Sequence, residues 1–247
     1  MAPLRALFSA PLTAIQTALR RVRRGTKRAK PRASYAQYAE DLVIEDLLGL
    51  RARGARAGVF VDIGANDPVR LSNTWRLYKH GWSGIAIEPD ADVCARFARK
   101  RPRDLVVCAA VGEREEDLTF HRFYESALNT LDPDVAARAE SRGWKIMSRE
   151  IVRVRRLNAI LEEHASRIAA GIDLLSIDAE GFDVAILRGL DLQRFRPRMV
   201  VFEVPTDSRV GESESAELLK RAGYRLRARL YHSEMWMCED QASAKHS

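Results

Sequence analysis

The stretch VFVDIGANDPVRLSNT, residues 59–74, decides how the chain reads. Val59, Phe60, Val61 and Ile63 form an apolar run without clean alternation, as expected of a parallel-sheet strand covered on both faces. Asp62 interrupts that run near its C-terminal end. Gly64 then permits a sharp turn, or close approach of a ligand to the backbone. Ser72 or Asn73 is placed to cap a helix beginning near Thr74. Strand, glycine turn and helix, in that order, are how an open α/β sheet builds a crevice for a nucleotide-like ligand.

The same alternation continues on both sides of the stretch. SYAQYAEDLVIEDLLGL (34–50) predicts a helix ended around Gly54, and NTWRLYKHG another that stops at Gly81. SGIAIEP (83–89) is a second apolar strand ending at Glu88. DADVCARFARKRP (90–102) is a helix with an Asp90 cap and a Pro102 stop. LVVCAAVG (105–112) reads as one third strand, and DLTFHRFY as an additional one. Residues 125–149 read as a polar, partly helical loop or lid, EIVRVRRL as a short strand and NAILEEHASRI as a helix. IDLLSIDAEG (172–181) is a fourth core strand with a glycine exit, and PRMVVFEV (197–204) a fifth. FDVAILRGL and SAELLKRAGYRL are helices, and RARLYHSEMWMCED is a terminal strand. The expected fold is α/β, a mostly parallel sheet with helices on both faces.

Ligands in such sheets sit beyond the carboxyl ends of the strands. Asp62, Gly64 and Asn66 stand at the first of these ends, Glu88 at the second, and Asp178 and Glu180 at the fourth. A single acid after an apolar strand is an ordinary helix cap. Four carboxylates converging on one rim point to a site.

Charge is unevenly placed. The 247 residues carry a net +7, but residues 1–34 hold nine Arg or Lys and no acid, so removing those nine leaves −2 for residues 35–247. The basic pI therefore comes from a tail, which argues against nucleic acid as partner of the body. In that tail Leu4, Leu7, Phe8, Leu12, Ile15, Leu19 and Val22 recur at helical spacing, interrupted by Pro11. The expected division is a basic tail over 1–33, disordered or an amphipathic helix on an anionic membrane surface, and a single domain over 34–247. Cys94, Cys108 and Cys238 are widely spaced and form no CxxC pair, which reads as a reduced, cytoplasmic protein. No apolar run reaches the length of a membrane span, and no spaced ligand set demands a metal.

The turn after the first strand separates two classes of adenosine ligand. Glu88, 26 residues after Asp62, is placed to accept hydrogen bonds from ribose hydroxyls. A dinucleotide also needs a GxGxxG turn for its pyrophosphate. This turn reads Gly64-Ala65-Asn66-Asp67-Pro68-Val69; it lacks the second and third glycines, and Asp67 would repel phosphate. S-adenosylmethionine has no phosphate, and its ammonium and sulfonium favour nearby acids such as Asp62.

FVDIGANDPVRLSNT, GWSGIAIEPD, LNT and LLSIDAEGFDVAILRGL together resemble the FkbM family of S-adenosylmethionine-dependent methyltransferases, over roughly Ser34 to Pro205. The resemblance implies a class I methyltransferase (Rossmann-like) fold and O-methylation of a sugar, glycan or natural-product hydroxyl. By position it implies donor binding by Asp62, Gly64, Ala65, Asn66 and Glu88. Asp178, Glu180 and Gly181 match the family's Asp-x-Glu-Gly element, and Asp183 stands where a glutamate is common. Asp178 is the first candidate for general base or hydroxyl-orienting group and Glu180 the second, with His121 an alternative. The rival readings are a nicotinamide-dependent oxidoreductase, opposed by the missing glycines, and a membrane-docked adaptor that lost its chemistry, opposed by the intact acid pairs.

Overall fold

A computed structural model describes residues 32–204 and 209–239. The basic segment over 1–33, which the sequence suggests as a surface-binding tail, falls almost entirely outside the described residues. The chain from Ser34 onward forms one unit.

Seven strands build the main sheet. They are β1 (Val59–Ile63), β2 (Ser83–Glu88), β3 (Leu105–Cys108), β7 (Leu174–Ile177), β8 (Met199–Glu203), β9 (Tyr224–Leu230) and β10 (Ser233–Cys238). Their order is β3-β2-β1-β7-β8-β10-β9; the first five are mutually parallel, and β10 runs antiparallel to both neighbours. A smaller sheet, ordered β4-β6-β5, contains β4 (Ala110–Gly112), β5 (Glu116–Phe123) and β6 (Ile146–Arg156).

The apolar strands serve two faces. Val61, Ile63, Ile85, Ile87, Leu175, Ile177, Val200 and Phe202 turn to one face. There they meet Leu157 and Ile160 of α5 (Leu157–Glu163), Ile186 of α6 (Asp183–Gly189) and Leu219 of α7 (Glu214–Arg221). The alternate residues Phe60, Leu174, Met199 and Val201 meet Ile44 of α1 (Glu40–Leu47) and Leu77 of α2 (Trp75–Lys79). Ala86 meets Val93 and Phe97 of α3 (Ala91–Lys100) on that second face. This double covering is why the strands show no polar alternation. The topology and layering are those of a class I, Rossmann-like methyltransferase fold.

The boundaries of β1 and β2 fall where the sequence places them, and Asp90 caps α3 by accepting from the N–H groups of Asp92 and Val93. Three readings need correction. LVVCAAVG is two strands, because the chain breaks at Ala109 and β4 leaves the main sheet to pair with β6. The terminal segment is a hairpin, β9 and β10 turning at Tyr231, whose φ is +52°. Cys94 and Cys108 are joined in a disulfide, with Cα atoms 6.1 Å apart. The β2–α3–β3 crossover lays the helix beside the next strand's end, a proximity that the sequence separation conceals. The cysteine spacing thus gives no argument for a reducing compartment. No helix among the described residues is long and apolar enough to cross a membrane.

Candidate active site

The C-terminal ends of β1, β2, β7 and β8 meet on one rim. After β1 the chain turns at Gly64, φ +70°, and Asn66, φ +43°. The N–H groups of Gly64 and Ala65 both donate to the Ile87 carbonyl, which locks the turn to β2. A Cβ on Gly64 would lie 1.7 Å from the Asp178 carbonyl oxygen, so only glycine lets the exits of β1 and β7 pack together.

Glu88 closes β2. Its Oε2 accepts from the Asn66 N–H at 3.0 Å and its Oε1 from the Asp90 N–H at 3.0 Å. Burial pushes its carboxyl up to about 7, against the pull of those two donors. A carboxylate has about four acceptor positions, so two bonds leave it capacity toward the cleft.

The β7 exit is built differently. Glu180 has φ +45° and Gly181 φ +103°, two successive left-handed residues. Non-glycine residues seldom adopt this conformation unless the surroundings hold them there. The Thr130 hydroxyl donates to the Glu180 carbonyl at 2.7 Å and supplies that hold. Asp183, the first residue of α6, accepts from the N–H groups of Ala179 and Glu203 and so ties β7 to β8. The acids here crowd one another. Burial together with Glu203, Glu180, Asp183 and Asp62 pushes the Asp178 carboxyl well above its ordinary value. Burial and Asp183 bring Glu180 to about 7, and burial alone brings Asp183 to about 6 against its backbone donors.

One cleft brings together Gly64, Asn66, Glu88, Asp178 and Glu180. Three of the candidates, Asp62, Ala65 and His121, do not line it. Asp62 lies on the face of β1 toward α2, where Thr74 donates to its carboxylate. Burial raises the Asp62 carboxyl, and Arg101, Thr74 and Ser176 pull it back. Ala65 is buried against Ala86, Val93 and Phe97. His121 pairs by its backbone with Thr130 and does not line the cleft.

The cleft also has residues to which the sequence reading gives no role: Ser126, and Asn129 of the LNT element. The segment that reads as a lid contains a 3-10 turn, Ser126–Leu128, and a helix, α4 (Pro133–Ser141). Ser126 lines the cleft and donates to the Asn66 side-chain oxygen at 2.9 Å; Asn129 lines it too and accepts from the Phe123 N–H at 2.7 Å. Beside the cleft an apolar slot is walled by Ile63, Ile87, Ala109, Val111, Phe120 and Leu131. Glu203 also escapes the sequence reading, although VVFE, an apolar strand ending in an acid, repeats the signature of IAIE.

A carboxylate with acceptor positions left, a glycine backbone and an adjoining apolar slot are the features an adenosine-bearing ligand without phosphate would use.

The family description "Methyltransferase FkbM domain" matches residues 62–226. Among solved structures the chain is similar to a TehB-like S-adenosylmethionine-dependent methyltransferase from Corynebacterium glutamicum, at 11% identity and TM-score 0.40, over 92% of this chain and 97% of that one. It is also similar to Aeropyrum pernix fibrillarin, solved with natively bound S-adenosyl-L-methionine, at 11% identity and TM-score 0.41, over 86% of this chain and 85% of that one. No curated protein matches the chain.

Proposed function

Because the chain belongs to the FkbM methyltransferase family, and so is an S-adenosylmethionine-dependent methyltransferase, we propose that it methylates a hydroxyl on a sugar, glycan or natural-product acceptor. The observation that supports this reading is the single cleft lined by Gly64, Asn66 and Glu88 on one side and Asp178 and Glu180 on the other.

S-adenosylmethionine, when bound, supplies a methyl group already activated on a sulfonium. The residues are left with binding, orientation and proton handling. In our reading Glu88 accepts from the ribose hydroxyls, the Gly64–Asn66 turn presents backbone to the cofactor, and the slot beside Phe120 takes the base. Asp178 orients the acceptor hydroxyl, with Glu180 as its partner. Asp62 and Ala65 contribute by holding the turn's shape. Residues 34–247 act as one catalytic domain, and residues 1–33 bring it to an anionic membrane surface.

Titration calorimetry with S-adenosylmethionine, S-adenosylhomocysteine and NAD tests the cofactor half, with binding of the first two and none of NAD expected. The acceptor half is tested by release of S-adenosylhomocysteine with hydroxyl compounds against thiols and amines; turnover confined to thiols or amines would exclude O-methylation.

A further inference from the structure

The end of β8 carries a pair that cofactor binding and hydroxyl orientation leave unused. Oε1 of Glu203, the last residue of β8, lies 3.2 Å from Nε2 of His232, a separation suited to an Nε2–H donated to the carboxylate. His232 occupies the turn between β9 and β10. Its ring meets Tyr38 edge-on at 4.8 Å between centroids, and Tyr38 stacks on Tyr231 at 4.7 Å. The imidazole is thus fixed between an aromatic ring and a carboxylate.

The pair faces a cavity of about 360 Å3, lined also by Glu180, Gly181, Asp183 and Val204. Glu180 lines the cofactor cleft as well. Two cavities with one wall in common are what a two-substrate transfer needs: one for the methyl donor and one for the group that attacks it. Burial and four neighbouring carboxylates push the Asp178 carboxyl well above its ordinary value, which suits it to orienting a hydroxyl more than to taking its proton.

We propose that this cavity is the acceptor subsite, and that Glu203, positioned by His232, receives the proton of the attacking hydroxyl. The proposal rests on the hydroxyl-acceptor reading. The acceptor oxygen bonds to the methyl carbon as the carbon–sulfur bond breaks. The electron pair departs with sulfur, which becomes a neutral thioether, and the hydroxyl proton passes to a Glu203 oxygen. Burial, Glu180, Asp183 and Glu40 bring Glu203 to about 8, near the pH at which a general base works best. The charged groups facing the pair among the described residues are Glu40 on α1, Asp178 and Glu180 after β7, Asp183 on α6 and Arg229 on β9.

Two measurements test this on the full chain. In the first, S-adenosylhomocysteine release is followed with a panel of methyl hexosides, methyl deoxyhexosides and simple alcohols. Glu203→Gln should lower kcat on the order of 100-fold, abolish the rising limb of the kcat–pH profile, and leave the Kd for S-adenosylmethionine within about twofold. His232→Gln, which keeps an N–H donor, should retain more activity than His232→Leu. In the second, the His232 imidazole is titrated by NMR, its signal identified by its loss in His232→Gln. Its signal should show a second inflection near pH 8 as the facing Glu203 ionises, and that inflection should be absent in Glu203→Gln. Glu203→Asp, which withdraws the carboxylate without neutralising it, replaces Glu203→Gln if that variant fails to bind donor. Turnover that survives the Glu203 change, or an unaltered His232 titration, overturns this proposal alone. Donor binding with no turnover of any hydroxyl compound overturns the hydroxyl-acceptor reading, and this proposal with it.

Discussion

The two halves of the rim use the same residue types in opposite surroundings. On the β1–β2 side each acid is met by donors. Asp62 has Thr74, Ser176 and the charge of Arg101, and Glu88 has two backbone N–H groups. On the β7–β8 side Asp178, Glu180, Asp183 and Glu203 stand against one another, and mutual repulsion adds to burial. The first arrangement fixes geometry, as binding a cofactor in one pose requires. The second couples the ionisation of neighbouring acids, so that a proton gained by one alters the others, as transfer from a hydroxyl can use. Preorganisation and proton exchange make conflicting demands on a carboxylate, and the fold separates them on opposite sides of Gly64.

The contrast breaks first if Arg101 is not the anchor of the β1–β2 side. It is fully buried, donates through Nε to Asp104 at 2.6 Å and through Nη1 to Thr74 at 3.0 Å, and lies over the rings of Phe97, Tyr78 and Phe60. Arg101→Leu strands the Asp104 charge in the interior. Breaking a buried pair from one side costs about 3–5 kcal/mol, and urea denaturation should show a loss of that size.

On the β7–β8 side the corresponding change should spare stability and strike catalysis. Asp178→Ala is expected to reduce methyl transfer on the order of 100-fold with donor affinity nearly unchanged. Asp178→Asn, which can still hydrogen-bond a hydroxyl, should retain more activity than Asp178→Ala. Equal turnover in wild type and both variants would make Asp178 a structural residue.

Glu88→Ala addresses binding directly. Each charge-assisted hydrogen bond lost should weaken the donor by about 1.5–3 kcal/mol, read by calorimetry. An affinity equal to wild type would remove Glu88 from the site and leave it only its bonds to Asn66 and Asp90.

How legible the molecule is in its sequence depends on what each feature rests on. β1, β2 and the Asp90 cap rest on local pattern and fall where expected. Gly64, Asn66, Glu88, Asp178 and Glu180 are legible because each follows an apolar strand, and parallel strands bring their ends together. Asp62 reads as facing the ligand, but strand parity turns it with Phe60 toward α2, and parity alone does not say which face is the cleft. Arg101 looks like a charge at a helix end paired with Asp104 three residues on; its burial depends on Thr74 and the rings of Phe60 and Tyr78 converging from elsewhere. The Glu203–His232 pair spans 29 residues and a hairpin that reads as one strand, so only the tertiary structure joins them.

The smallest expected effect is on stability against pH, and it turns on the crowded side. Carboxyls there lie above their ordinary values: Asp183 at about 6, Glu180 at about 7 and Glu203 at about 8. An acid whose folded value is raised contributes stability that is fully present below the unfolded value, near 4 to 4.5, and is lost as pH rises through the folded one. The reason is that the unfolded chain releases its proton first. The protein should therefore melt at a higher temperature at pH 5.5 than at pH 8.5. Glu203 keeps 30% of its side chain in contact with solvent, so the effect per group is discounted to about 1 kcal/mol, or roughly 2–4 °C for a chain of this size. Glu203→Gln cannot ionise and should melt above wild type by a wider margin at pH 8.5 than at pH 5.5. Glu88, raised by burial to about 7, adds to the same wild-type trend, so the Glu203→Gln difference isolates the crowded side; if that variant follows the wild-type profile at both pH values, the contrast between the two halves of the rim fails.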